Sequence, residues 1–204
     1  MSDFTERKGD MRTHNGSRLV ALRWIVAIAA GMVVLSTSST ILHASDTILR
    51  WDIVNVDPPY IGPSGIASAE AHDHSKISLF SASGTFDTEN PQNVTGGGSW
   101  ELRDQNGVLV DSGTFDVTGL VHWVVAPGTF PDGAIDQVGD PANARPGLAE
   151  LKVYYSGGDE GTVVVSCSLM GTPASVLEGI TATKGFVDYF NPVAGGSTLF
   201  HRMP

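Results

Sequence analysis

The chain is short of cysteine, of basic residues and of long apolar runs, and each shortage narrows what it can be. With one cysteine, Cys167, among 204 residues, no disulfide can close within the chain and no zinc site can be built on cysteine pairs. Only 12 Lys and Arg stand against 22 Asp and Glu, a formal net charge of −10. So acidic a surface repels phosphate backbones and carries no basic stripe, which argues against nucleic acid as a partner. Familiar catalytic signatures are missing as well. There is no Gly-x-Ser-x-Gly elbow, no His-Glu-x-x-His and no phosphate-cradling glycine loop.

The longest apolar run, "WIVAIAAGMVVL" from Trp24 to Leu35, falls short of the roughly 20 residues a bilayer span needs. Arg7, Lys8, Arg12, Arg18 and Arg23 precede it, and "STSST" and "ILHASD" follow. A basic start, a short apolar centre and a small residue at Ala44 predict a secretory signal peptide over residues 1–44, cleaved after Ala44. The competing reading is an uncleaved anchor, since "ILHA" lengthens the apolar region. Cleavage would leave one domain, residues 45–204, of a size that supports a real hydrophobic core. The leader takes five basic and three acidic residues with it, so seven basic and nineteen acidic remain and the net charge is near −12. The expected location is the periplasm or the exterior, with no membrane attachment after cleavage.

What the chain does have is punctuation. Its 24 glycines and 11 prolines divide short β-rich runs, the rhythm of an all-β fold. Strands are expected near Leu49–Val56, Ile77–Phe86, Gly98–Arg103, Val108–Val117, Leu120–Val125, Leu148–Tyr155, Thr162–Leu169 and Val176–Thr183, with a short closing run at Thr198–Phe200. The predicted architecture is a single antiparallel β-sandwich or β-barrel of about eight or nine strands. In "GGSWELRDQNGVLVDSGTFDV", Asn106-Gly107 suits a two-residue type I′ turn with Gln105 facing Val108. Counting outward puts Trp100 opposite Gly113, Gly98 opposite Phe115 and Glu101 opposite Ser112. That register gathers Trp100, Leu102, Leu109, Phe115 and Val117 on one face.

A second hairpin is expected in "LAELKVYYSGGDEGTVVVSCSL". Ala149, Leu151, Val153 and Tyr155 alternate with Glu150, Lys152 and Tyr154, and Cys167 shares the apolar face of the partner strand as a buried thiol. "SGTF" occurs at Ser83–Phe86 and at Ser112–Phe115, which marks two equivalent strands. The longest irregular segment, Ala126 to Gly147, contains "DPANA", where Asp140 could cap a single helical turn begun by Pro141.

Candidate site residues are few. In "SAEAHDHSKISLF", His72 and His74 are two apart, so an extended backbone would turn both imidazoles to one side, with His122 as a third metal ligand. A polar loop leading into a strand explains the same residues without a metal, and no metal or other cofactor is assigned. Asp132, Asp136 and Asp140 lie four apart in the long loop but lack the alternate-residue spacing of an EF-hand, so turn or cap roles suit them better. Among the acids, Glu178 in "VLEGITATKGF" is the first catalytic candidate, because apolar neighbours would raise its pKa.

With "GGGSW" and "SGTF", the stretch Gly139 to Asn191, including "EGITATKGF", resembles a group of small exported bacterial and related proteins. The resemblance implies one continuous domain and carries no functional residue with it. The expected role is non-enzymatic binding of a small molecule, glycan or protein partner, because a β-sheet with a long loop such as Ala126 to Gly147 readily supplies a recognition surface. A hydrolase or isomerase using pocket carboxylates or histidines is the alternative, and a structural or surface interaction protein is the third reading.

Overall fold

Apolar residues at every second position cannot be buried by one flat sheet, and here they are buried by a sheet that curls. The computed structural model describes residues 47–203; the expected signal peptide, residues 1–44, lies outside the described residues. Fourteen strands form: β1 (Ile48–Asp57), β2 (Tyr60–Gly62), β3 (Ile66–Glu70), β4 (Lys76–Asp87), β5 (Val94–Arg103), β6 (Leu109–Val125), β7 (Ile135–Asp136), β8 (Ala144–Arg145), β9 (Gly147–Tyr155), β10 (Glu160–Cys167), β11 (Gly179–Lys184), β12 (Val187–Tyr189), β13 (Asn191–Pro192) and β14 (Ser197–Arg202). Among the described residues no helix is long and apolar enough to cross a membrane.

The strands make one large sheet in the order β12-β11-β10-β9-β6-β5-β4-β1-β14-β8, with β3 on β4, β13 on β3, β2 on β1 and β7 on β2. Pairing is antiparallel except between β2 and β7, so the sheet is mixed, and its hydrogen-bonded path does not close. The strand count therefore exceeds the expected eight or nine. The two runs expected at Val108–Val117 and Leu120–Val125 are one bulged strand, β6, while six short strands of two to five residues were too brief to show a period.

Alternation governs the core. Trp51, Ile53, Ile77, Leu79, Phe86, Trp100, Phe115, Leu151, Tyr155 and Phe200 are fully buried. Phe86, Trp123 and Phe200 form an aromatic triangle with centroids 4.8–6.1 Å apart, and Trp100 meets Tyr155 edge-on at 5.7 Å. Lys184 closes one end of this core, its ammonium 4.7 Å from the Trp100 ring centre and paired with Asp159.

The central hairpin keeps the expected register: Trp100 faces Gly113, Gly98 faces Phe115 and Glu101 faces Ser112. Its turn does not keep the expected form. The Asp104 carboxylate takes the amides of Asn106 and Val108, both at 2.9 Å, and the Asp104 amide reaches the Val108 carbonyl. This draws in one more residue than a type I′ turn holds and leaves only Gly107 at positive φ. The ladder then shifts between Leu102 and Arg103, which turns Leu109 out to solvent instead of onto the core face. The second hairpin follows the expected alternation, with Ala149, Leu151, Val153, Tyr155 and Cys167 buried.

The two "SGTF" copies lie on β4 and β6, the strands flanking the glycines of β5. There backbones approach too closely for side chains. A Cβ added at Gly96 would lie 2.0 Å from the Ser83 carbonyl oxygen, and Gly96 has φ +100°. Gly107 also has positive φ but open space around it. Gly96→Ala should therefore cost about 3 kcal/mol or more, and Gly107→Ala only about 1 kcal/mol, in urea unfolding. Equal losses would mean that the crowding at β4–β5 does not constrain the fold.

Candidate functional site

Strand pairing decides what the outer face of the sheet presents. Along β6, β9, β10 and β11 the register aligns Val124 with Leu148, Leu148 with Ser166, and Ser166 with Gly179. The next outward row is His122, Glu150, Val164 and Thr181. Because β6 bulges between Leu120 and His122, Val121 and His122 both face outward while Trp123 turns in. Val124, Leu148 and Val164 thus occupy positions that alternation gives to polar residues.

A groove of about 370 Å³ opens over these residues. Val124, Leu148 and Val164 line its floor, and Ser175, Val176 and Leu177 make a wall from the segment joining β10 to β11. Its size falls within the range of small-molecule sites, and its lining is mostly apolar.

Glu178 stands at the foot of that wall, between β10, β11 and β14. The amides of Ser168 and Thr198 donate to its two carboxylate oxygens, the latter at 2.6 Å, and the Thr198 hydroxyl adds a contact at 3.2 Å. The same hydroxyl donates to the Ser166 carbonyl at 2.7 Å. Burial pushes the Glu178 carboxyl up to about 6 from an ordinary 4.5, against the pull of these donors. The sequence expectation of a raised pKa from apolar surroundings matches this direction. The carboxylate, however, is filled with backbone donors, and what the geometry gives it is the work of a clasp. Burial near Glu178 likewise pushes the Cys167 thiol up, which keeps it protonated and inert.

The histidines are arranged differently from the extended-strand expectation. His72 and His74 lie in the turn between β3 and β4, where the Ala71 amide bonds the Ser75 carbonyl and the Asp73 carboxylate takes the Ser75 amide and hydroxyl. His74 has φ +64°, so the two imidazoles do not share the face of a strand. His122 is on β6 beside Glu150, and among the described residues no three acids, histidines or cysteines are grouped as a metal-binding set. The long-loop aspartates also part company. Asp140 caps the single turn Pro141–Asn143 through the Ala142 amide, as its sequence suggested, and Asp132 is exposed nearby.

Asp136 enters a second polar cluster that sequence spacing could not reveal. Its carboxylate meets His201 Nε2 at 2.7 Å and accepts the amides of Val138 and Gly139. Gly139 passes so close over the imidazole that an added Cβ would be 2.7 Å from the ring. Asp52 lies on the same side of β1 as Arg50, which pairs with it at 2.7 Å and also donates to the Val138 carbonyl. Burial pushes the Asp52 carboxyl above the ordinary range and Arg50 holds it back. With the His201 and Asp136 side chains at 3% and 0% exposure, their pair is sealed from solvent, and the cluster pins the long loop to β1 and β14.

No protein-family model matches the chain, and neither a curated protein nor a solved structure was found to match it. The groove residues were the ones sequence reading passed over; the available signal was the set of apolar side chains at outward positions of otherwise wet strands.

Two outcomes are expected. A carboxyl whose folded pKa exceeds its unfolded value binds more protons when folded, so its contribution is fully present below about 4.5 and is lost as pH rises through 6. Wild-type stability should thus fall by about 1–2 kcal/mol from Glu178 across that window. Glu178→Gln should lack this slope and lose about 1–3 kcal/mol at pH 7, because its amide group must face a backbone N–H. Urea titrations at both pH values check it; an unchanged slope would refute the clasp. In the second cluster, Asp136→Ala should cost about 3–5 kcal/mol by stranding His201 in a buried site, read from the same titrations. A loss below 1 kcal/mol would show that the pair does not hold the loop.

Proposed function

We propose that this is an exported, non-enzymatic binding protein whose ligand is a small, mostly apolar molecule held in the outer groove of β6, β9, β10 and β11. The supporting observation is the groove itself: about 370 Å³, floored by Val124, Leu148 and Val164 and walled by Val176 and Leu177. Apolar side chains left in water on the wet face of a sheet gain free energy when a ligand covers them, about 25 cal/mol per Å². A small molecule suits a recess of this volume better than a protein segment, which would need a broader contact surface.

On this reading the curled sheet works as an open barrel or sandwich. Aromatic rings pack its core, and the groove lies on the outer face, so binding is assigned to the outside. Glu178 keeps the groove wall in place by tying Ser168 to Thr198. Export through the predicted signal peptide places the site in the periplasm or the exterior, where a disulfide-free chain depends on its core alone for stability.

Binding can be followed with the apolar fluorophore N-phenyl-1-naphthylamine and its displacement by 1-octanol. Leu148→Asp, at an outward position that leaves the core intact, should weaken both by about 10-fold or more, since burial of a Leu-sized surface is lost. Equal binding by the wild type and the folded variant would remove the proposal.

A further inference from the structure

A second depression, about 540 Å³, lies on the same four strands and differs in character. Thr118, Lys152, Tyr154, Glu160, Thr162 and Thr183 line it. Lys152 pairs across the ladder with Thr162, whose amide donates to the Thr183 hydroxyl oxygen at 2.8 Å. This polar row is four residues along β9 from Leu148, a separation of about 13 Å on an extended strand. Between the two depressions runs the intermediate row of His122, Glu150, Val164 and Thr181. Side chains of all three rows project from one face, because two-residue steps preserve direction. A single face therefore changes from apolar to polar over the length of a small amphiphile.

Resting on the groove reading above, we infer that the two depressions form one site, and that the ligand is an amphiphile with an alkyl tail in the groove and a neutral, hydroxyl-rich head beside Lys152. The head chemistry follows from what surrounds it. Lys152, Tyr154 and the threonine hydroxyls donate, while Glu160 and Glu150 accept. Lys152 makes no salt bridge among the described residues, so its ammonium is free to donate to a ligand. Two carboxylates repel an anionic head such as a phosphate or carboxylate, and Lys152 repels a cationic one. Sugar-like hydroxyls match donors and acceptors together, and the exposed Tyr154 ring offers an apolar face to the C–H side of a pyranose.

Calorimetric titration of the full chain with octyl β-glucoside, 1-octanol, octanoate and octylamine, each below its micelle concentration, tests this. Octyl glucoside should bind about 10-fold or more tightly than 1-octanol. The double variant Lys152→Ala, Thr162→Val should reduce that advantage to about 2-fold or less while leaving 1-octanol binding unchanged. Leu148→Asp should abolish binding of both. If 1-octanol binds and the glucoside binds no better, the amphiphile inference fails and the apolar groove stands. A larger gain for octanoate or octylamine than for the glucoside overturns the neutral head. If none of the four binds, the groove reading and this inference fall together.

Discussion

A sheet whose hydrogen-bonded ladder stays open needs something else to keep it wrapped around its core, and in this protein that is the clasp at Glu178. One carboxylate engages the amide after β10 and the amide near the start of β14, while Thr198 also reaches the Ser166 carbonyl. β10 and β14 are far apart along the sheet order, so these contacts hold its curl together with the two-residue ladder of β13 on β3. The burial that strengthens the clasp also raises the carboxyl toward about 6. The groove wall rises directly from this point, which couples the integrity of the fold to the shape of the proposed site.

The polar clusters and the apolar groove exchange the places that composition alone suggests. The side chains of Asp52, Asp136 and His201 are titratable and buried, with half-buried Arg50 beside them, whereas Val124 and Leu177 are apolar and face solvent. Asp136 pairs with His201 Nε2 and fastens the long loop, so a loop of unusual length acquires a structural reason before a functional one. The exposed valines and leucines receive no such internal partner. Burying charge is costly unless it is paired, and leaving apolar surface wet is costly unless something covers it. The first condition is met within the chain, and the second points outside it.

Much of the fold was legible because a period of two in apolar residues has one efficient solution. The register around Asn106-Gly107, the alternation from Ala149 to Tyr155 and the Asp140 cap could all be read from neighbours close in sequence. The turn itself is not legible this way, since whether the Asp104 side chain captures amides two and four residues on depends on how the flanking strands twist. His72 and His74 looked like a ligand pair only on the assumption of an extended backbone, and the chain reverses there. β7, β8 and β13 have two residues each, too few for any periodic signal.

The sequence by itself determined that the chain would form β-strands, which faces of the long ones would be greasy, and that the surface would be acidic, because these depend on residue type and local spacing. Tertiary structure alone decided that Val124, Leu148 and Ser166 form one row, that Asp136 meets His201 across 65 residues, and that Glu178 ties the end of β10 to β14. Such meetings follow from bulges, registers and the curl of the sheet. Each of these is set by the packing of the whole molecule, and no short window of sequence contains it.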